Sequence, residues 1–239
     1  ELMDAALFRC GLGLSKELDA RFGRKTVAAK MTDVPGHTRA MVPLLAEAGI
    51  ELLHIGVNPA SKPPAVPDAF RWRHEDRAEI SVIYDKGSYG GLTRIPGCED
   101  AIYFAHTGDN RGPCSPEAVG DVFARLQARF PGSDVRASTL NEFAVALRAS
   151  APGLPAVTQE IGDTWIHGAG TDPAKVALFR ALMRWHAAQP APAPKRGRTV
   201  LERFARRLLL VPEHTWGYNV KLGLGHEKNY DRRFKKAAF

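Results

Sequence analysis

The sequence predicts an α/β protein, a partial α/β barrel followed by a helical segment. Strand-like and helix-like segments alternate over the first two-thirds of the 239 residues, which is typical of parallel βα units. The composition, 44% hydrophobic and 25% charged, is that of a globular protein with a sizeable core. A stiff Pro-rich linker over residues 189–194 lies between two amphipathic helices. We therefore expect a partial barrel domain over residues 1–168 and a three-helix-bundle-like segment over residues 169–239.

Apolar spacing and turn-forming residues predict the elements of the first part in turn. The predicted helices cover residues 2–22 (with Gly11 and Gly13 interrupting the pattern), 39–48, 116–130 and 140–149. The predicted strands cover residues 26–31, 51–56, 101–105 and 134–137, and β-branched and aromatic runs at 70–73 and 80–84 predict a hairpin. In the second part, Asp172-Pro173 is a typical helix start and predicts a helix at 174–188, and a second follows at 199–210.

The net charge of +7 is confined to one end of the chain. Residues 195–239 carry 12 Lys/Arg against 4 Asp/Glu, and the other residues nearly balance. A nucleic-acid footprint is one interpretation of such a segment. We favour the solvated faces of helices and expect no nucleic-acid partner.

Other features of the composition bear on where the protein works. No apolar run approaches the roughly 18 residues that a membrane span needs, so no membrane partner is expected. Three widely spaced cysteines, Cys10, Cys98 and Cys114, predict free thiols and favour the cytoplasm. The chain opens on Glu1 inside a predicted helix and without an initiator Met, so we expect it to belong to a longer protein.

The run Thr-Asp-Val-Pro-Gly-His-Thr, residues 32–38, is the strongest candidate for a functional site. It places Asp33 at the end of a predicted strand, where side chains of α/β barrels point into the active-site mouth. A carboxylate there can be a nucleophile, a metal ligand or both. Asp is also common in such loops as a helix cap or turn former, and this alternative stays open.

Three further polar loops could join Asp33. The first contains His106 and Asp109 after the predicted strand at 101–105; the second contains Glu160, Asp163 and Trp165; the third contains Glu213, His214 and Trp216. Two carboxylates at different strand ends are what a retaining glycosidase needs. An aromatic side chain beside carboxylates suits the C–H face of a sugar ring.

These segments together resemble glycoside hydrolase family 38, the α-mannosidases. Asp-x-x-Gly-His-Thr, then Leu-Leu-Ala-Glu-Ala-Gly at 44–49 and Leu-His-Ile-Gly at 53–56, resembles the nucleophile segment of that family, with Val-Pro in place of Pro-Phe. The similarity is greater to a bacterial branch of the clan. It implies a (β/α)7-type barrel without its first strand, which runs into a three-helix bundle. It also implies a retaining, zinc-dependent glycosidase with a carbohydrate substrate.

The resemblance also implies roles for single residues. Asp33 is the nucleophile and a zinc ligand, Asp109 the acid/base, and His214 a second zinc ligand. His37 is a supporting residue, and the remaining ligands are expected upstream of Glu1. The residues expected at the substrate are Asp163, Trp165, His106 and Trp216.

Two other functions remain compatible with the sequence. A metal-dependent carbohydrate deacetylase on the same barrel type would use Asp33 as a base or ligand, without a glycosyl-enzyme. A non-catalytic carbohydrate- or nucleic-acid-binding module would use none of these carboxylates chemically.

Overall fold

The computed structural model describes residues 2–34, 37–58, 61–87, 89–107, 111–162, 172–189 and 198–212. It is a mixed α/β structure with a five-stranded sheet, a two-stranded sheet and, in these ranges, six α-helices. The helices are α1 (Ala5–Phe22), α2 (Met41–Glu47), α3 (Pro116–Arg129), α4 (Leu140–Leu147), α5 (Pro173–Ala187) and α6 (Arg198–Leu208). The strands are β1 (Ala28–Thr32), β2 (Leu52–Gly56), β3 (Ala69–Arg73), β4 (Glu79–Asp85), β5 (Leu92–Arg94), β6 (Ala101–Tyr103) and β7 (Ala156–Val157).

Three parallel strands, β1, β2 and β4, form one side of the larger sheet, whose order is β1-β2-β4-β3-β7. Thr32 of β1 pairs with Gly56 of β2, and Gly56 pairs with Asp85 of β4. The three carboxyl ends therefore lie side by side. β2 reads Leu-Leu-His-Ile-Gly and is buried at every position, as expected for a parallel strand covered on both faces. Strand β3 then runs antiparallel to β4 and pairs in parallel with the short β7.

Helices cover both faces of this sheet. On one face α2 and the apolar side of α1 pack against alternate residues of the strands, including Leu53, Ile55 and Val82. On the other face α4 packs against the intervening residues, including Leu52 and Ile83. The strands are thus fixed in a two-sided core, and their carboxyl ends are held in a defined arrangement.

A third apolar cluster joins the first helix to the last two described helices. Leu7 of α1 packs with Phe179 and Met183 of α5 and with Ala205 and Leu208 of α6. Asp4 caps α1 through its side chain, which accepts from the amide of Leu7. The helical part therefore contacts the first helix of the chain, while the predicted boundary near residue 169 stays a prediction.

Most of the predicted elements are present, and three predictions are wrong. Residues 134–137 form no strand, because this exposed stretch has no neighbouring strand with which to pair. The predicted parallel pairing is also wrong for β6, which pairs antiparallel with β5 in a separate sheet. In that pair Thr93 lies opposite Ile102. Helix α1 continues through Gly11 and Gly13 without interruption.

The predicted thiols and the membrane search give simple results. Cys10, Cys98 and Cys114 are all free, as predicted. Among the described helices, none combines the length and the apolar character needed to cross a membrane.

Candidate functional site

Asp33 lies immediately beyond the carboxyl end of β1 in an unusual backbone conformation. Its φ is +61°, in the left-handed region that non-glycine residues seldom adopt, although Asp and Asn tolerate it best. Its amide donates to the carbonyl of Gly56 at 3.1 Å, which continues the β1–β2 pairing by one residue. Such a conformation costs on the order of 1 kcal/mol and persists where surrounding structure determines it, often at functional sites.

Two side chains converge on one oxygen of the Asp33 carboxylate. The Asn58 side-chain amide donates to Oδ1 through a short hydrogen bond. The Tyr89 hydroxyl donates to the same oxygen at 2.8 Å. Asn58 Nδ2 also lies 3.1 Å from the Tyr89 hydroxyl oxygen, so the three groups form a closed set. We call Asp33, Asn58 and Tyr89 the Asp33 cluster.

The strand order explains why these three residues meet. Each lies beyond the carboxyl end of one of the three parallel strands: Asp33 after β1, Asn58 after β2 and Tyr89 after β4. Functional side chains in parallel α/β structures commonly gather at this end of the sheet. Asn58 is only 8% exposed, so its amide is fixed by its surroundings.

Below the Asp33 cluster, a second polar group lies on the α4 face of the sheet. Lys30 Nζ lies 2.6 Å from the backbone carbonyl of Tyr89 and 3.0 Å from Nδ1 of His54. It also lies 4.8 Å from the centre of the Phe104 ring, within cation–π range. Partial burial lowers the pKa of Lys30, and the charge of Asp85 offsets part of this effect.

His54 is fully buried and neutral at neutral pH. Burial, together with the charge of Lys30, lowers its pKa to about 3. Because Lys30 has only donors to offer when charged, Nδ1 of His54 accepts and the ring hydrogen lies on Nε2. That Nε2 finds no hydrogen-bond partner within the described residues. The Phe104 ring packs on the imidazole with 4.2 Å between the ring centroids.

A close backbone approach joins the loop of Tyr89 to the loop of His106. The amide of Phe104 donates to the carbonyl of Gly91 at 3.1 Å. Gly90 has a φ of +137°, and a Cβ built on it would lie 2.7 Å from Cβ of Phe104, so only glycine fits. The ring of His106, two residues after Phe104, packs edge-on against the ring of Tyr89, with 5.6 Å between the ring centroids.

The alternative role of Asp33 as the cap of α2 is not what the described structure shows. The cap residue of α2 is Ala40, which provides no side-chain hydrogen bond. Near the helix start the amide of Arg39 instead donates to Oε2 of Glu160, at 2.6 Å. The Asp33 carboxylate faces the ends of β2 and β4, where Asn58 and Tyr89 donate to it.

His37 lies just beyond the Asp33 loop and is buried, with 2% of its surface exposed. Neither ring nitrogen has a hydrogen-bond partner among the described residues. Burial lowers its pKa to about 4, so it is neutral at neutral pH. The supporting role of His37 beside Asp33 stays a prediction.

The described residues do not by themselves fit a zinc ion. In these ranges no group of three or more His, Cys, Asp or Glu side chains is placed to hold a metal. Zinc sites in proteins need about four ligands, three of them from the protein in catalytic sites. Of the predicted ligands only Asp33 lies in the described part of the chain.

The other predicted site residues divide into one that the structure places and five that it does not. His106 is exposed and, through Tyr89, is adjacent to the Asp33 cluster. The predicted acid/base, zinc ligand and substrate residues outside the described ranges are Asp109, His214, Asp163, Trp165 and Trp216. The convergence of Asp109 and His214 on Asp33 therefore stays a prediction.

Sequence reasoning did not single out Asn58, Tyr89 or Lys30. Asn58 and Tyr89 each follow a predicted strand by a few residues, which is the same signal that identified Asp33. Applying that signal to every predicted strand end would have found both. Lys30 lies inside β1, and no local pattern distinguishes it from a solvated lysine on a strand.

Comparison with known families gives one match, over the C-terminal part of the chain. Residues 169–238 match a family described as a domain of unknown function (DUF5054). The match covers less than a third of the chain; it includes α5 and α6, and the Asp33 cluster lies outside it. Among curated proteins no match is found.

Proposed function

We propose that the protein is a retaining glycoside hydrolase in which Asp33 is the nucleophile. One observation carries the proposal: Asp33 directly follows the parallel strand β1, and Asn58 and Tyr89 orient its carboxylate from the ends of the parallel strands β2 and β4. A turn former or cap needs no such support. The resemblance of residues 32–56 to the nucleophile segment of the α-mannosidases supports the same assignment.

In the first step, an oxygen of Asp33 attacks the anomeric carbon of the glycoside. A carbon–oxygen bond to Asp33 forms while the bond to the leaving oxygen breaks, and Asp109 gives its proton to that leaving oxygen. In the second step, Asp109 takes a proton from a water molecule, whose oxygen attacks the anomeric carbon and releases Asp33 as a carboxylate. Asp109 has then regained its proton.

The two donors to Oδ1 of Asp33 have a definite role in this two-step reaction. The charge of the Asp33 carboxylate disappears when the glycosyl-enzyme forms and returns when it is hydrolysed. Prearranged donors from Asn58 and Tyr89 stabilise the returning charge without reorganisation, so they favour the second step. They also fix the carboxylate orientation for the attack.

The wider assignment is part of the same proposal. We propose that the sheet belongs to a (β/α)7-type barrel, and that zinc is held by Asp33, His214 and further ligands outside the described residues. A bound zinc ion would act as a Lewis acid toward sugar hydroxyls. The position of Asp33 beyond the carboxyl end of the parallel strand β1 supports this arrangement.

A fluorinated glycosyl fluoride that traps the glycosyl-enzyme tests the nucleophile directly. The protein should gain the mass of one fluoroglycosyl group, and peptide mapping should place it on Asp33. Asp33→Asn should gain none under the same conditions. Labelling of a different carboxylate, or of the Asp33→Asn variant, would exclude Asp33 as the nucleophile.

The same samples separate the two alternative functions. A carbohydrate deacetylase should release acetate from acetylated sugars and show no covalent label. A binding module should bind sugars or polyanions with neither label nor acetate release, and polyanion binding would fall steeply with salt. Either pattern would replace the proposal.

A further inference from the structure

We propose that Lys30 is a positioning residue, which holds the Tyr89 loop so that the Tyr89 hydroxyl stays on Asp33. This inference deepens the proposed function and rests on it for its catalytic consequence. Lys30 does not belong to the Asp33 cluster, and the resemblance gives it no role.

The geometry fixes Tyr89 at two points on the same strand. Its hydroxyl donates to Asp33 Oδ1 at 2.8 Å, and its backbone carbonyl accepts from Lys30 Nζ at 2.6 Å. Lys30 and Asp33 are only three residues apart, at the carboxyl end of β1. Tyr89 is therefore attached to β1 through both its main chain and its side chain, although it follows β4.

The surroundings of Lys30 restrict the position of its ammonium group. Nδ1 of His54 accepts at 3.0 Å, and the Phe104 ring lies against Nζ at 4.8 Å. His54 and Lys30 are partners in the β1–β2 register, so their side chains leave the same face of the sheet. Lys30 thus has a defined place from which to hold the Tyr89 carbonyl.

The burial of His54 supports this role. The Nε2 of the buried His54 has no hydrogen-bond partner among the described residues. Burying such an imidazole stabilises the folded protein less than burying an apolar side chain of similar size. What a buried histidine provides here, and an apolar side chain could not, is the hydrogen-bond acceptor Nδ1 for Lys30. His54 and Lys30 therefore act together as a support for the Tyr89 loop.

A direct contact between Lys30 and substrate is the competing explanation, and a double-mutant cycle separates the two. If Lys30 acts through Tyr89, Lys30→Met should lower kcat roughly tenfold, about the value of one hydrogen bond, with KM within about twofold. Tyr89→Phe should have a similar effect. The double variant should be no slower than Tyr89→Phe, because both changes remove the same interaction.

Two further variants control the cycle. Lys86 is an exposed lysine directly after β4, and it pairs with Asp68. Lys86→Met should leave kcat and KM unchanged. Lys30→Arg keeps a donor and should recover part of the lost kcat. If Lys30→Met does not fold, Lys30→Gln, which retains a shorter donor, replaces it in the cycle. Additive effects of Lys30→Met and Tyr89→Phe, or a change confined to KM, would overturn the proposal.

A fluorine NMR measurement, which does not depend on catalysis, distinguishes failure of this inference from failure of the proposed function. 3-Fluorotyrosine at position 89 gives a fluorine NMR signal that reports the position and mobility of that ring. Lys30→Met should shift or broaden this signal, and Lys86→Met should not. If no glycoside is hydrolysed but the signal responds, Lys30 positions Tyr89 and only the proposed function fails; an unchanged signal in a folded Lys30→Met protein would refute the positioning role.

Discussion

The Tyr89 hydroxyl lies 2.8 Å from Oδ1 of Asp33, although 56 residues separate the two in the sequence. The strand β2 lies between their parent strands, and Asn58 from its end fills the space between the two side chains. The orientation of Asp33 therefore depends on three strand ends together.

Asp33→Asn should leave the fold intact and abolish turnover. Asn tolerates a positive φ as well as Asp does, and its Oδ1 can still accept from Asn58 and Tyr89, so the free energy of unfolding should change by less than about 1 kcal/mol. An amide cannot form the glycosyl-enzyme, so kcat should fall by several orders of magnitude. Urea denaturation and steady-state kinetics measure the two quantities.

The matched control for this change is Asp68→Asn, since Asp68 is an exposed carboxylate paired with Lys86. It should alter neither stability nor turnover appreciably. A fully active Asp33→Asn protein would reduce Asp33 to a turn residue.

Gly90→Ala should destabilise the protein and lower its activity. The added Cβ would lie 2.7 Å from Cβ of Phe104, and alanine disfavours a φ of +137°. The loops of Tyr89 and His106 must then separate, at a cost of about 2–4 kcal/mol in urea denaturation. Gly91→Ala is the control, because a Cβ there meets no atom within 4 Å. Equal effects of the two changes would show that the approach to Phe104 is unimportant.

His37 should make the protein less stable as the pH falls below about 6.5. Its pKa is about 4 in the folded state and about 6.5 in the unfolded state, so between these values only the unfolded state takes up the proton. Stability is therefore fully present above pH 6.5 and is lost progressively toward pH 4, by about 2–3 kcal/mol.

His37→Leu isolates this contribution, because leucine does not titrate and every other group is retained. The difference in free energy of unfolding between wild type and variant should change with pH over this window alone. The variant should be at least as stable at pH 7, since it removes two buried nitrogens without partners in the described structure. A difference that is independent of pH would mean that the pKa of His37 is the same in the folded and unfolded protein, so that folding does not lower it.

Glu160→Ala should loosen the start of α2. The change removes the acceptor that the Arg39 amide reaches at 2.6 Å, and should lower the free energy of unfolding by about 1 kcal/mol. Glu75→Ala is the control, since Glu75 accepts only from the Arg39 side chain in an exposed ion pair. Hydrogen exchange at the first amides of α2 should quicken in Glu160→Ala and stay the same in Glu75→Ala.

The local part of this structure was predictable, and its long-range part was not. Continuous apolar runs predicted β1 and β2, and the β-branched segment before Asp85 predicted β4. The meeting of Asp33 with Asn58 and Tyr89 follows from the strand order β1-β2-β4, which apolar spacing does not encode.

The missed and mistaken strands have the same cause. β5 and β7 have only three and two residues, too few for a periodic pattern, and they exist because a partner strand is present. Residues 134–137 had enough local propensity to be predicted as a strand but have no partner. Asp33 could be identified because Asp-x-x-Gly-His-Thr is a local signal.

β1 is the outermost strand on its side of the described sheet, and this affects how the strand of Asp33 exchanges hydrogen with solvent. Its amides alternate in direction: that of Asp33 points to Gly56 of β2, so those of Ala29 and Met31 do as well. The side-chain oxygen of Asn141 accepts from Ala28 on the outer side, but in the described ranges no strand lies beyond Lys30 and Thr32. In the 239-residue chain, deuterium should therefore reach the amides of Lys30 and Thr32 well before those of Ala29 and Met31. A strand added on that side would remove the difference, because the amides of Lys30 and Thr32 would then be hydrogen-bonded as well.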